Sequence, residues 1–407
     1  MKTKTRFGLP QKLVTCKVCV MTNQKPHSIN ETKNKKNSQK QGLAFNEEGI
    51  CAACQYAITK KNNIDWNLRE RILEKLLKKY RKNDGSYDCL VPGSGGKDSM
   101  YAAHLLKYKY NMNPLTITWQ PIMYTDYGYS NFKNWIEIGG FDNLKFKQNG
   151  KVMKLLTKLS IQNLLHPFQT FILGQKNLAP KIAKKYGIEL VFYGESEAEY
   201  GNPIAESNKS LRSGDYYSYS NIDEIYLAGL KVKELKEKYG LKLNDLKPFF
   251  PIDKSELNNF DLEIHYLGYY LKWVPQEAYY YSVENTGFKA RPFRTQGTYS
   301  KYNSIDDKID DLHYYTTFIK FGIGRATYDS SQEIRNNHLT RDEAKTLVKR
   351  FDGEFPDKYF KEVLEYIGMK EDYFFDKLDS FRPKHIWKET SKGYKLRHNV
   401  NNDGEDD

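Results

Sequence analysis

The stretch "VPGSGGKDSM", residues 91–100, sets three glycines, two serines, a lysine and an aspartate behind an apolar run. It reads either as an anion cradle or as a mobile turn. "YDCLVP" (87–92) has the length and composition of a buried strand, and "DSMYAAHLLKYKY" continues as a helix whose Ala102, Ala103, Leu105 and Leu106 pack on a sheet. A Walker loop puts Ser or Thr after its lysine, but Lys97 is followed by Asp98. A dinucleotide fingerprint fails too, because its third glycine would fall on Asp98. What remains is Ser94-Gly95-Gly96-Lys97-Asp98-Ser99 between a strand and a helix N-terminus. Adjacent glycines let backbone N–H groups converge on an anion, the helix dipole adds to the field, and both serines offer hydroxyls. Asp98 favours the cradle: a carboxylate repels phosphate unless a divalent cation joins the two.

Working outward, "PLTITW" (114–119) is the next strand and closes a βαβ unit. Upstream, "IDWNLRERILEKLLKKYRKNDG" is an amphipathic helix with Asp65 as N-cap and a stop at Asn83-Asp84-Gly85. Residues 150–186 read as helices, and "IELVFYGE" (188–195) as a buried strand ending in a carboxylate. Alternating strands and helices imply a parallel sheet with its ligand site at the carboxyl ends of the strands, where the glycine loop and Glu195 both fall. Beyond about 250 aromatic residues become dense ("HYLGYYLKWVPQEAYYY"), followed by amphipathic helices such as "TRDEAKTLVKRF" and "PDKYFKEVLEYIG". The expected organisation is a zinc-binding segment 1–62, an α/β domain 63–250, a mainly helical substrate or partner region 251–395 and a disordered tail 396–407.

The 407 residues, 28% charged and 39% hydrophobic, fit a globular protein with a sizeable core. There is no apolar run long enough to span a membrane, and the start, "MKTKTRFGLPQKLVTC", has no signal-peptide stretch, so the cytoplasm is the expected compartment. Residues 1–90 carry 19 Lys/Arg against 8 Asp/Glu, most of the net +13 of the whole chain. That is either a solvated surface or an attraction to an anionic partner or substrate. Cys16, Cys19, Cys51 and Cys54 stand in two CxxC knuckles, "CKVC" and "CAAC", which read as a tetrahedral zinc site. The polar loop between them has no apolar periodicity to fold it unaided. Cys89, alone in a strand, reads as a core residue rather than a sulfur carrier.

The motif SGGxDS is the signature of the PP-loop ATP pyrophosphatases, and it stands complete here. A resemblance at family level is carried by longer segments: "CKVCVMTNQKP", "EEGICAACQYA", "YDCLVPGSGGKDS", "VFYGESEAEYGN", "HYLGYYLKWVPQEAYYYSVENTGF", "GTYSKYNSIDDKIDDLHYYTTFIKFGIGRATYDSSQEIR" and "KRFDGEFPDKYF". These resemble the N-acetyl sugar amidotransferases, the family of the PseA and WbpG proteins, across nearly all of residues 13–387. The resemblance implies a PP-loop, adenine nucleotide alpha hydrolase-like sheet with helices on both faces. It implies ATP cleaved to AMP and pyrophosphate with Mg2+, and a sugar N-acetyl group converted to an acetamidino group for a surface glycan. The sugar is expected to be nucleotide-activated. In one departure, Gly93 stands where a bulkier residue is expected, which on this reading loosens the turn.

The candidate catalytic residues are Asp98, Lys97 and Glu195, with Ser94, Gly95, Gly96, Lys97, Asp98 and Ser99 binding nucleotide and Asp98 also holding magnesium. Glu195, Glu197 and Glu199 form either a solvated loop or a site for magnesium or ammonia. Tyr299, Lys301 and Arg325 are candidates for gripping the sugar or its phosphates, and a structural salt bridge is the competing reading of Arg325. Asp126 is a weaker nucleotide or metal candidate, and His104 reads as a packed helix residue. The chain lacks a glutaminase cysteine, so ammonia is expected from a partner; the family resemblance implies that this is a separate glutaminase with a barrel-shaped conduit, and no nucleic-acid partner is expected. The alternative is a PP-loop tRNA-modifying enzyme, a thiolase or amidating ligase whose knuckles and basic N-terminus bind RNA.

Overall fold

The computed structural model describes residues 5–27, 31–202, 209–398 and 400. Its centre is a six-stranded sheet. In chain order the strands are β1 (Cys89–Pro92), β2 (Pro114–Trp119), β3 (Asn143–Phe146), β4 (Leu190–Tyr193), β5 (Leu211–Arg212) and β6 (Glu263–Tyr266). They lie in the order β3-β2-β1-β4-β6-β5, all parallel except β5 at the edge. Successive residues point to opposite faces, and both faces are apolar: Cys89, Val91, Leu190 and Phe192 enter one core, Leu90, Val191 and Ile264 the other. Each such side chain contributes about 1.5–3 kcal/mol by leaving water.

The helices used below are α1 (Ala52–Asn62), α2 (Trp66–Tyr80), α3 (Lys97–His104), α4 (Asp126–Glu137), α5 (Gly150–Leu164), α6 (Gln169–Tyr186), α7 (Pro275–Thr286), α8 (Asp310–Phe321) and α9 (Arg325–Arg335). Helices α2, α3 and α4 supply the first core and α5 and α6 the second, so helices cover both faces. Asp65 caps α2 by accepting from Leu68 N at 2.9 Å. That helix stops at Tyr80, a few residues before Asn83-Asp84-Gly85. Helix α3 is followed by a π-helical turn, Leu105–Lys109. No helix among the described residues is long and apolar enough to cross a membrane.

A boundary at residue 250 would cut the sheet, because β6 pairs in parallel with β4 from Glu263↔Leu190 to Tyr266↔Tyr193. "EIHY" lies beside the aromatic run and reads in sequence as part of the helical texture. Past it the chain is mainly helical, closed by a hairpin of Trp387–Thr390 and Gly393–Leu396. The N-terminal segment shares the main core, with Phe7 and Phe321 ring centroids 5.4 Å apart. Residues 399 and 401–407 of the expected disordered tail lie outside the described residues; Leu396 belongs to the hairpin, and Val400 packs with Val20 and Ala344.

Candidate functional site

Strands β1 and β4 are neighbours whose connections leave in opposite directions, so a crevice opens at their carboxyl ends. The glycine loop leaves β1 there. Gly95 has φ +90°, and a Cβ on it would lie 2.6 Å from Phe132 Cα, so both conformation and the approach of α4 demand glycine. Gly96 caps α3, and a Cβ there would enter open space with its nearest neighbour, Ser94 Oγ, at 3.9 Å. That space, at a helix N-terminus, is the size and polarity of an anion cradle.

Gly93 corrects the sequence reading. Its N–H donates to Ile117 O at 2.9 Å, and a Cβ would lie 2.3 Å from Ser99 Cβ and 2.8 Å from Trp135 Cη2. The small residue tightens the turn instead of loosening it, because Trp135 fills the space a side chain would take.

Lys97 and Asp98 pair at 2.6 Å, and Trp273 Nε1 donates to the other Asp98 oxygen at 3.1 Å. Ser94 Oγ donates to Asp306 Oδ2 at 2.5 Å, and Ser99 Oγ to Gly96 O at 2.9 Å. Glu195, just past β4, accepts from Tyr200 OH at 2.5 Å. Burial, and then the charge of Asp98, pushes its carboxyl above the usual range. Asp310 is pushed well above that range by burial and then by Asp306. All of these residues line one cavity of about 790 Å³.

The other candidates divide. Glu199 pairs with Lys60 of α1 at 2.5 Å, both nearly fully buried, so it ties the N-terminal segment to the loop after β4. Glu197 pairs with Arg212 and accepts from Tyr266 OH at 3.0 Å, while still lining the cavity. Neither is solvated. Arg325 lines the cavity, yet it also pairs with Asp329 one turn along α9 at 2.8 Å. Tyr299 and Lys301 are not brought to the cavity: Tyr299 faces Phe351, ring centroids 6.5 Å apart, and Lys301 is exposed. Both follow Gly297, where the chain turns back on itself through Thr298 N to Thr295 O. Asp126 is exposed on the first turn of α4 and lies outside the cavity. His104 accepts from or donates to Tyr281 OH at 2.8 Å and is packed between α3 and α7. Cys89 is fully buried, and burial pushes its thiol up.

Sequence reasoning missed Trp273, Asp306, Asp310 and Asp329, all of which line the cavity. The doubled aspartates in "SIDDKIDD" were the available signal, masked by their resemblance to a solvated helix start.

The four knuckle cysteines are buried, with sulfurs all within 4.8 Å of one another. Cys19 Sγ and Cys51 Sγ are 3.8 Å apart. Tetrahedral zinc with bonds of about 2.3 Å needs sulfurs roughly 3.8 Å apart, so the donor set fits that ion. Backbone N–H groups of Val18, Met21 and Cys51 point at the sulfurs at 3.3–3.5 Å. Cys51 and Cys54 sit on the first turn of α1, where the helix dipole favours thiolate.

Residues 296–400 match the family described as LPS biosynthesis protein WbpG-like, C-terminal domain. An uncharacterized protein of Methanocaldococcus jannaschii is 30% identical over 102 residues, which are 25% of this chain and 31% of that relative. Among solved structures, the NH3-dependent NAD synthetase of Campylobacter jejuni is 17% identical, with TM-score 0.28 over 45% of this chain and 77% of its own. The NMN synthetase of Francisella tularensis is 14% identical, with TM-score 0.26 over 48% and 82%. A U34-tRNA thiolase of Methanococcus maripaludis, with its 4Fe–4S cluster, is 11% identical, with TM-score 0.30 over 83% and 89%. Superpositions this loose add nothing to the sheet order and loop geometry described above.

Proposed function

On the premise that the chain is a PP-loop protein with a WbpG-like C-terminal domain, we propose that it uses ATP to convert a sugar N-acetyl group to an acetamidino group. One observation carries the reading: Asp306, Asp310, Arg325 and Asp329 of the WbpG-like region line the same cavity as the glycine loop. The part of the chain that bears the family likeness thus shares a cavity with the glycine loop, which supports the reading.

The chemistry follows from the amide. Its oxygen is a poor leaving group, so it attacks the α-phosphorus of ATP, the bond to the bridging α–β oxygen breaks, and pyrophosphate departs. Ammonia then adds to the imidate carbon, AMP leaves with its oxygen, and one proton is released with the amidine. Loop N–H groups and Lys97 stabilise charge on the leaving pyrophosphate. Asp98 would be the protein ligand of a magnesium ion, which would supply charge neutralisation on the phosphates. Glu195, buried and with its affinity for a proton raised, is placed to take the proton from the attacking nitrogen. Ammonia comes from a separate glutaminase through a barrel-shaped partner, which keeps the activated intermediate from water. The sugar is nucleotide-activated and serves a surface glycan of the pseudaminic acid or O-antigen kind. The cysteine site holds structural zinc.

The test incubates the protein with ATP, Mg2+, ammonium and a panel of nucleotide-activated N-acetyl sugars. AMP and pyrophosphate should form only with a sugar, and mass spectrometry should show one oxygen replaced by NH. Asp98→Asn should abolish turnover and leave the fold intact. ADP as product, or AMP formation that depends on tRNA and ignores sugars, would refute the reading.

A further inference from the structure

The cavity does not end at the carboxylates around the glycine loop. At its other end His166, from the turn between α5 and α6, stacks on His313 of α8 with ring centroids 4.9 Å apart. Nδ1 of each ring is buried without a hydrogen-bond partner among the described residues. Lys320, on the same helix as His313, is 6% exposed, and its ammonium donates to Leu164 O at 3.2 Å. Lys35, Lys36 and Lys40 line the same cavity from the N-terminal segment, which also sends Glu31 to within 4.0 Å of His166 Nε2.

We propose that this end of the cavity is a built phosphate site, which receives the nucleotide phosphates of the second substrate while ATP occupies the glycine loop. Groups from three separate parts of the chain converge here, where an apolar wall would have been cheaper to bury. Lys40 and the buried Lys320 act on the histidine pair and face one carboxylate, Glu31, while Lys35 and Lys36 stand exposed at the cavity wall, so cations outnumber carboxylates here. A carboxylate would answer one of those charges; a phosphate ester or diphosphate answers more and offers enough oxygens for several donors at once. Burial beside other cations lowers the basicity of these groups. Burial, and then Lys40, pulls Lys320 down to about 7, and burial, then Lys320 and Arg325, pulls His313 to about 3. Arg325 stands between the two ends: its charge acts on His313 and also on Glu195. A sugar bridging them would have its N-acetyl group beside the loop and its phosphate on the lysines.

This inference deepens the sugar reading and rests on it for the identity of the second substrate. The test uses the full chain with α,β-methylene-ATP held at saturation, and measures binding of UDP, CMP, inorganic phosphate and neutral N-acetylglucosamine by calorimetry. UDP or CMP should bind beside the ATP analogue. Lys40→Gln with Lys320→Met should weaken that binding at least about tenfold, while the analogue's own affinity changes less than about twofold. Lys40→Gln alone, at a half-exposed position, gives a smaller loss in the same direction and serves if the double variant does not fold. Competition between UDP or CMP and the ATP analogue for one site would overturn the proposal. So would unchanged affinity in both variants, or lysine-dependent binding of tRNA with none of the free nucleotides. Binding of the probes without amidine formation would sink the sugar reading and leave the phosphate site standing. Amidine formation with an unchanged KM for the nucleotide sugar in the double variant would do the reverse.

Discussion

Lys60 and Glu199 offer the sharpest stability test, because their pairing decides what Glu199 is for. The ammonium lies 2.5 Å from the carboxylate, their side chains are 6% and 2% exposed, and the lysine also donates to Trp273 O. Lys60→Met removes one partner and leaves a buried carboxylate uncompensated, which costs about 3–5 kcal/mol. With a urea dependence of about 2–3 kcal/mol per molar, the unfolding midpoint should fall by about 1–2 M. Lys60→Met combined with Glu199→Met removes both charges and should recover most of that loss. Urea titration followed by tryptophan fluorescence reads both variants. A midpoint within about 0.3 M of wild type for the single variant, or a double variant as unstable as the single, would refute the assignment. The double variant should also still form AMP, because Glu199 serves the fold and not the nucleotide.

Gly93→Ala should destabilise by about 1–3 kcal/mol and weaken the ATP analogue, because the methyl meets Ser99 and Trp135; a higher melting temperature would restore the loosened-turn reading. Cys16→Ser should lower bound zinc from about one per chain and loosen the N-terminal segment, by metal analysis and limited proteolysis; an iron–sulfur absorbance band in the wild type would overturn the zinc assignment. With ammonium as nitrogen source turnover should rise with pH, since only the free base attacks, and glutamine should serve poorly until the partners are added. Efficient use of glutamine by the chain alone would remove the need for a separate glutaminase.

The parts of this molecule that were legible in its sequence are those where local chemistry and fold agree. The SGGKDS loop announces itself because a glycine pair, two hydroxyls and a helix start stand together in one short stretch, and the strand before it is a short apolar run. The CxxC knuckles are legible because two thiolates on one turn have few other uses. What escaped is what depends on long-range placement. Strand β6 hides in an aromatic stretch because a strand buried on both faces has no alternation to show. Tyr299 and Lys301 looked like ligand-gripping residues by type, but Tyr299 packs towards Phe351 and Lys301 is exposed, and no local pattern records that. Asp306 and Asp310 carry no local motif, and only tertiary structure brings them to the cavity beside the loop.

The cavity explains why the chain divides poorly into independent parts. Its wall draws Lys40 from the N-terminal segment, Lys97 and Glu195 from the sheet and Arg325 from the C-terminal helices. Lys60–Glu199 and Arg341, which donates to the carbonyls of Cys16 and Cys19, tie the cysteine site to both other regions. On the proposed reading, adenylating a poor electrophile requires holding two substrates in line and keeping water from the product of the first step. Building the wall from three regions meets both demands, because no single segment can open without disturbing the others. On the proposed reading the same coupling gives the cysteine site a use: a metal ion held by its four sulfurs would fix a polar segment with little apolar surface of its own, and that segment brings Lys35, Lys36 and Lys40 to the cavity. Loss of the metal should therefore raise the KM for an anionic substrate before it abolishes ATP binding at the glycine loop, and parallel titrations of the two ligands on zinc-stripped protein would separate those effects.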